Sequence, residues 1–208
     1  MPESQKRRLS LLRTFALADV VTLMNAASGT GAIFLCLGYI AERSTSYMWA
    51  AFILLPIALI CDVLDGSIAR WRRKHSPLGA DLDSLADVVS FGVAPAVLAF
   101  TLGMNGFWDS LVLVYFVACG ISRLARYNVT AAAMADESGK VKYYEGTPIP
   151  TSLLLVGILA LAFGQGATAD NLWLGVVRLG PYQLHPLVLM YAISGSAMAS
   201  ATLKVPKP

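Results

Sequence analysis

Long apolar runs dominate the chain, broken by short polar stretches. Six runs read as helices that cross a bilayer, at about 20–40, 47–69, 84–104, 107–125, 149–165 and 184–203. The warrant is length, because a hydrocarbon core of ~30 Å takes roughly 20 apolar residues in helical form. Lipid also offers no hydrogen-bond partners, so the backbone of each span must satisfy itself. The stretch before the first run has a different pattern. Leu9, Leu12, Phe15 and Ala16 recur on one helical face, with Lys6, Arg7, Arg8 and Arg13 among them. That predicts an amphipathic helix over about 4–17, lying in the membrane interface; a basic, unstructured terminus is the alternative. It has no apolar core or A-x-A site and does not read as a removable signal peptide. The predicted fold class is an all-α integral membrane protein: one domain over 1–208, six transmembrane helices and an N-terminal interfacial helix.

Composition agrees with the pattern. A chain that is 56% hydrophobic and only 14% charged is too apolar for an ordinary soluble domain. Charge then orients it. Six spans place Lys6, Arg7, Arg8, Arg13, Arg70, Arg72, Arg73, Lys74, Arg123, Arg126, Lys140, Lys142, Lys204 and Lys207 on one side, and Arg43 and Arg178 on the other. Cytoplasmic loops carry the excess of Lys and Arg, so this asymmetry predicts cytoplasmic termini. The net charge of +3 marks a face toward anionic lipid and gives no reason to expect nucleic acid. Cys36, Cys61 and Cys119 all lie in apolar runs without a CxxC pair, and they read as small core residues. Residues 131–150 read as a long cytoplasmic loop and 165–183 as its counterpart outside.

Negative charge is concentrated in one place. Asp62, Asp65, Asp81, Asp83 and Asp87 fall within 26 positions of a chain with 13 acidic residues. Spacings of three and four put Asp62 with Asp65, and Asp83 with Asp87, on common helix faces. A short 70–82 connection lays the two helix ends side by side, so four carboxylates converge near one membrane surface. Uncompensated they repel one another, so protons or cations must balance them. Hard divalent cations with oxygen ligands suit the task, magnesium in particular, because it is held by a few carboxylates plus substrate phosphates. Asp83 or Ser84 is alternatively an N-cap, which accounts for one residue of the cluster. Asp81 stands off the shared face. Gly66, Ala69 and Gly79 remove side-chain bulk beside the carboxylates, either so that a ligand lies against backbone or so that helices pack closely. Arg70 either pairs with a phosphate oxygen or snorkels to the interface.

The array Asp62-x-x-Asp65-Gly66-x-x-Ala69-Arg70, eight residues, then Gly79-x-x-x-Asp83-x-x-x-Asp87, resembles the CDP-alcohol phosphotransferase signature without departure. The resemblance implies a six-helix membrane fold, usually homodimeric, and displacement of CMP from a CDP-linked lipid by an alcohol. It extends through "LADVVTLMNAASG", "SFGVAPA", "ISRLARYNV" and "YYEGTPIPT". Those stretches are most similar to the branch that uses CDP-diacylglycerol and L-serine, and the closing "LKVPKP" and long polar insert to its eukaryotic members. The membrane would then be the endoplasmic reticulum in a eukaryote and the inner membrane in a bacterium. Tyr127 stands where many relatives have Phe.

The resemblance also implies roles. Asp62, Asp65, Asp83 and Asp87 would ligate two Mg2+ or Mn2+ ions, with Asp87 also the general base toward the serine hydroxyl. Gly66, Arg70 and Ser76 match positions that hold the CDP part, with Ala69 and Gly79 beside them. Thr22, Asn25 and Ser28, spaced by three on the first helix, are assigned to the nucleotide, with helix–helix hydrogen bonding as the alternative. Serine carries a carboxylate, and a guanidinium grips carboxylates with two parallel hydrogen bonds. Arg123 and Arg126 share a face, Tyr127 and Asn128 would close the pocket, and Glu145 would meet the ammonium group. Membrane anchoring is the other role open to the two arginines. Inositol or glycerol phosphate acceptors, a membrane prenyltransferase and a cation transporter are the competing readings. Prenyltransferase motifs lie in separate halves of a chain, and transport sites usually lie near the bilayer midplane between repeats.

Overall fold

A computed structural model describes residues 17–72, 77–134, 143–200 and 204–206. The expected interfacial helix, Leu17 apart, and Ser76 lie outside the described residues, as do the side chains of Ala69, Arg70 and Glu145.

The described chain is mostly helical: α1 (Leu17–Glu42), α2 (Thr45–Arg72), α3 (Pro77–Asp87), a π-helical segment (Val88–Val93), α4 (Ala94–Thr101), α5 (Phe107–Met134), α6 (Ser152–Gly164) and α7 (Leu189–Ala199). Among the described residues, four stretches are long and apolar enough to cross a membrane: Ala18–Glu42, Thr45–Ile68, Gly79–Thr101 and Phe107–Val129. The runs predicted at 149–165 and 184–203 form the shorter apolar helices Ile149–Gly164 and Pro186–Ala199. At 1.5 Å per residue these reach roughly 24 and 21 Å, short of a ~30 Å hydrocarbon core. Large apolar side chains point outward all round, among them Phe34, Ile53, Val114, Leu161 and Ile193. A soluble monomer would not expose so much apolar surface; lipid is its natural solvent.

Helix boundaries differ from the expectation at the charged end. The connection read over 70–82 is much shorter, because α2 runs on to Arg72 and α3 opens at Pro77. Proline suits a first helical position, where its missing N–H costs nothing. Asp83 and Ser84 therefore stand inside a helix, and neither caps one. α5 likewise continues beyond 125 to Met134. Hydropathy falls there, but the Ala-rich stretch after Thr130 favours helix regardless of solvent.

α1 packs chiefly on α2, and α5 on α7. The turn from α1 to α2 holds Arg43 at φ 56°, with its N–H donating to Tyr39 O at 2.8 Å. Gly29 brings α1 against the π segment so closely that a Cβ there would stand 2.6 Å from Ser90 Cα. Phe91, Leu98, Phe116, Leu155 and Tyr191 join the helices in one buried core. Within it Tyr191 donates to the Pro95 carbonyl at 2.9 Å and stacks edge-on against Phe116.

Two small antiparallel pairs complete the fold. The stretch read as a cytoplasmic loop contains β1 (Tyr143–Glu145), and the chain end supplies β4 (Lys204–Pro206), with Tyr144 opposite Val205. Within 165–183 and just beyond, β2 (Val177–Leu179) and β3 (Tyr182–Leu184) form a hairpin. Asp109 clamps that hairpin to α5, accepting from His185 N–H at 2.8 Å and Gly106 N–H at 3.1 Å, with His185 Nδ1 2.6 Å away. Both side chains are buried.

Candidate active site: a carboxylate cluster between α1, α2, α3 and α5

The end of α2 and the body of α3 bring Asp62, Asp83 and Asp87 together. One carboxylate oxygen from each lies within 4.8 Å of the others. Asp65, buried at 5% exposure, stands beside them within electrostatic reach of Asp62 and Asp83. Asp81 is exposed and is not one of the three. The spacings are responsible: three residues along α2 and four along α3 keep each pair on one face.

Two hydrogen bonds from α1 reach this cluster. Thr22 Oγ1 lies 2.6 Å from Asp65 Oδ2 and 3.1 Å from its own helix's Ala18 carbonyl. With one proton to give, Thr22 favours the shorter contact, to the Asp65 carboxylate. Asn25 Nδ2 donates to Asp87 Oδ1 at 3.3 Å. Thr22 and Asn25 thus hydrogen-bond across helices to Asp65 and Asp87. Ser28 instead turns back to the Met24 carbonyl at 2.9 Å. Ser90, from the π segment, donates to the Asn25 carbonyl at 2.9 Å.

Electrostatics make the cluster a fit for cations. Asp62, Asp83 and Asp87 have no ion pair among the described residues, and Asp83 Oδ1 is buried without a hydrogen-bond partner. Convergent carboxylates of this kind, in a low-dielectric setting, demand positive charge. An all-oxygen donor set matches magnesium or manganese rather than zinc or iron–sulfur.

On the α5 side, Asn128 Nδ2 donates to Ser84 Oγ at 3.0 Å. Ser84 is the residue after Asp83, so this bond ties the Arg123–Asn128 stretch to the carboxylate helix. Arg123 is buried and its guanidinium lies 5.8 Å from the Tyr127 ring centroid. Arg126 donates from Nη2 to the Ala199 carbonyl at 3.3 Å, at the C-terminus of α7, where a cation is favoured by the helix dipole. Among the described residues, nothing lies within 4 Å of where a Gly66 Cβ would stand, and Gly79 lies on α3 one turn before Asp83. Sequence reasoning passed over Asp19, buried one turn before Thr22 and close enough for its charge to act on Asp65. A carboxylate in an apolar helix was the available signal.

The family model described as CDP-alcohol phosphatidyltransferase matches residues 15–193. Three relatives, each named CDP-diacylglycerol–serine O-phosphatidyltransferase, are similar along most of the chain. The Saccharomyces cerevisiae protein is 41% identical over 208 residues, 99% of this chain and 75% of its own length. The Methanocaldococcus jannaschii protein is 37% identical over 73% of this chain, and the Mycobacterium tuberculosis protein 33% identical over 86%. This chain spans 64% and 63% of the length of those two relatives.

Proposed function

Because the chain belongs to the CDP-alcohol phosphatidyltransferase family, we propose that it transfers the phosphatidyl group of CDP-diacylglycerol to the hydroxyl of L-serine, with release of CMP. The observation that carries this reading is the meeting of Asp62, Asp83 and Asp87, with Asp65 beside them, in the family's motif. The shared name of the three relatives supports serine as acceptor.

Asp62, Asp65, Asp83 and Asp87 would hold two divalent ions. Bound there, such ions neutralise the diphosphate and ease departure of CMP from the phosphorus under attack. Asp87 takes the proton of the serine hydroxyl as its oxygen bonds to phosphorus. Gly66 leaves room for the nucleotide against the backbone, and Arg70, Ser76, Ala69 and Gly79 are assigned to the same substrate. Arg126 and Arg123 meet the serine carboxylate, Tyr127 and Asn128 close that pocket, and Glu145 meets its ammonium group. The Ser84–Asn128 bond supports this placement, because it brings the α5 stretch beside Asp83 and Asp87. Serine engagement would require Arg126 to leave or share its Ala199 contact.

The wider arrangement belongs to the same proposal. Six crossings put both termini and the carboxylates on the cytoplasmic side, with α6 and α7 as the short fifth and sixth. In a eukaryotic cell the membrane would be the endoplasmic reticulum. A homodimer, which the family resemblance implies, belongs to the same reading.

Acceptor choice is the direct test. Purified protein with CDP-diacylglycerol and Mn2+ should release CMP on addition of L-serine, and not with inositol or glycerol 3-phosphate. Equal release with either alternative would remove serine from the reading.

A further inference from the structure

We infer that α1 is the template of the carboxylate site: Thr22 sets the orientation of Asp65, and Asn25 sets that of Asp87. This rests on the reading of the four carboxylates as a divalent-ion site and adds two positioning residues to it.

A helical aspartate can rotate about two side-chain bonds, and a carboxylate near others of like charge tends to turn away from them. Holding several together needs donors that occupy one oxygen each and leave the other for the cluster. α1 supplies two such donors, three residues apart and therefore on one face. Thr22 is 3% exposed and lies 2.6 Å from Asp65 Oδ2; Asn25 is 0% exposed and lies 3.3 Å from Asp87 Oδ1. Both bonds span helices distant in sequence, so they carry the position of α1 into α2 and α3.

The template is itself fixed. Ser90 donates to the Asn25 carbonyl, and Gly29 allows the backbones to meet at that level. The π segment Val88–Val93 begins directly after Asp87, with Ala94 N–H bonding to Val89 O, five residues back. Such extra-residue turns recur at functional sites. Here the turn brings Ser90 onto α1 just beyond the carboxylate that Asn25 holds. Thr22 has no donor left for a nucleotide, whereas Asn25 uses one of its two amide N–H groups on Asp87. The single Thr22 proton is given to Asp65. Asn25 retains an amide oxygen, buried and without a hydrogen-bond partner among the described residues.

The test reads metal binding without turnover. Mn2+ is titrated into purified full-length protein in detergent, without substrates, and free Mn2+ is followed by electron paramagnetic resonance. Thr22→Val keeps the shape and loses the hydroxyl, and should bind Mn2+ about 10-fold more weakly, the usual cost of losing a group that orients a ligand. Thr22→Ser should return affinity to within about twofold of wild type. Asn25→Ala should lower kcat by roughly 10²-fold at saturating serine, CDP-diacylglycerol and Mn2+, the scale of a misplaced reacting group, with both KM values within about twofold. Equal Mn2+ affinity in Thr22→Val and wild type, or no recovery in Thr22→Ser, overturns the inference alone. So does an Asn25→Ala protein whose defect is a raised KM for CDP-diacylglycerol at normal kcat. A wild-type protein that binds no Mn2+ overturns the metal reading, and this inference with it.

Discussion

Gly29→Ala is a one-carbon change whose consequence follows from a distance. The added Cβ would stand 2.6 Å from Ser90 Cα, a backbone atom that no side-chain rotation can move aside. An ordinary carbon–carbon contact needs about 3.5 Å, so α1 and the π segment must separate by ~0.9 Å. Two energies then compete. Overpacking costs typically ~1–3 kcal/mol, while Ala in place of Gly inside a helix returns ~0.8–1 kcal/mol. The net loss is about 0–2 kcal/mol, and the protein should still fold. Activity has no such offset. The Asn25–Asp87 bond is already 3.3 Å long, and a further ~0.9 Å takes it past hydrogen-bond range. Misplacement by about 1 Å costs on the order of 10²-fold in rate. CMP release in mixed micelles of detergent and CDP-diacylglycerol should therefore fall about 10²-fold, while the thermal midpoint drops by no more than about 8 °C. Gly157→Ala, where an added Cβ meets nothing within 4 Å, is the control and should keep the wild-type rate. A Gly29→Ala protein that turns over as fast as wild type would show that the close approach of α1 to the π segment does not hold the site.

Three further outcomes are expected. Asp87→Asn should lose about 10²-fold or more in kcat, the usual worth of general-base help, while retaining CDP-diacylglycerol binding; loss of lipid binding would leave Asp87 mainly a structural ligand, with the base elsewhere. Arg126→Lys should raise the serine KM about 10-fold or more, since a point charge does not reproduce a two-point grip on a carboxylate, and leave CDP-diacylglycerol affinity alone; an unchanged serine KM returns Arg126 to its Ala199 contact. Gly103→Ala should destabilise the protein by roughly 1–3 kcal/mol, the cost of forcing a side chain into a disfavoured backbone region. Gly103 has φ +128° and a Cβ there would come 2.7 Å from Ala169 N; thermal denaturation in detergent at the wild-type midpoint would contradict this.

The carboxylate pairs were legible because their chemistry is periodic. Asp62 with Asp65 and Asp83 with Asp87 need only helical geometry to share a face, and the short link between the helices needs only chain length to bring them together. The four long apolar helices were legible for the same reason. What escaped was set by neighbours. Hydropathy does not report where a helix stops, so α5 was cut short before Met134 and Asp83 was placed at a helix start instead of inside α3. The π segment has no period of its own to read. Three-residue strands such as Tyr143–Glu145 and Lys204–Pro206 carry too little pattern to be seen before they pair. Thr22 and Asn25 stood out as a polar stripe, but only the packing of α1 against α2 and α3 decides that their donors meet Asp65 and Asp87. Asp109 and His185, 76 positions apart, are joined by a fold that neither residue announces.

Metal-dependent transfer of a phosphatidyl group to serine is the reaction proposed for the carboxylate cluster. Its most direct measurement is product balance in liposomes containing purified protein, CDP-diacylglycerol, L-serine and Mn2+, with CMP and phosphatidylserine quantified together. Equal amounts of the two products are expected, with no turnover in EDTA, recovery on adding Mg2+ or Mn2+, and no turnover in Asp62→Ala, Asp65→Ala or Asp83→Ala. Undiminished formation of both products in EDTA, or in Asp83→Ala, would contradict it.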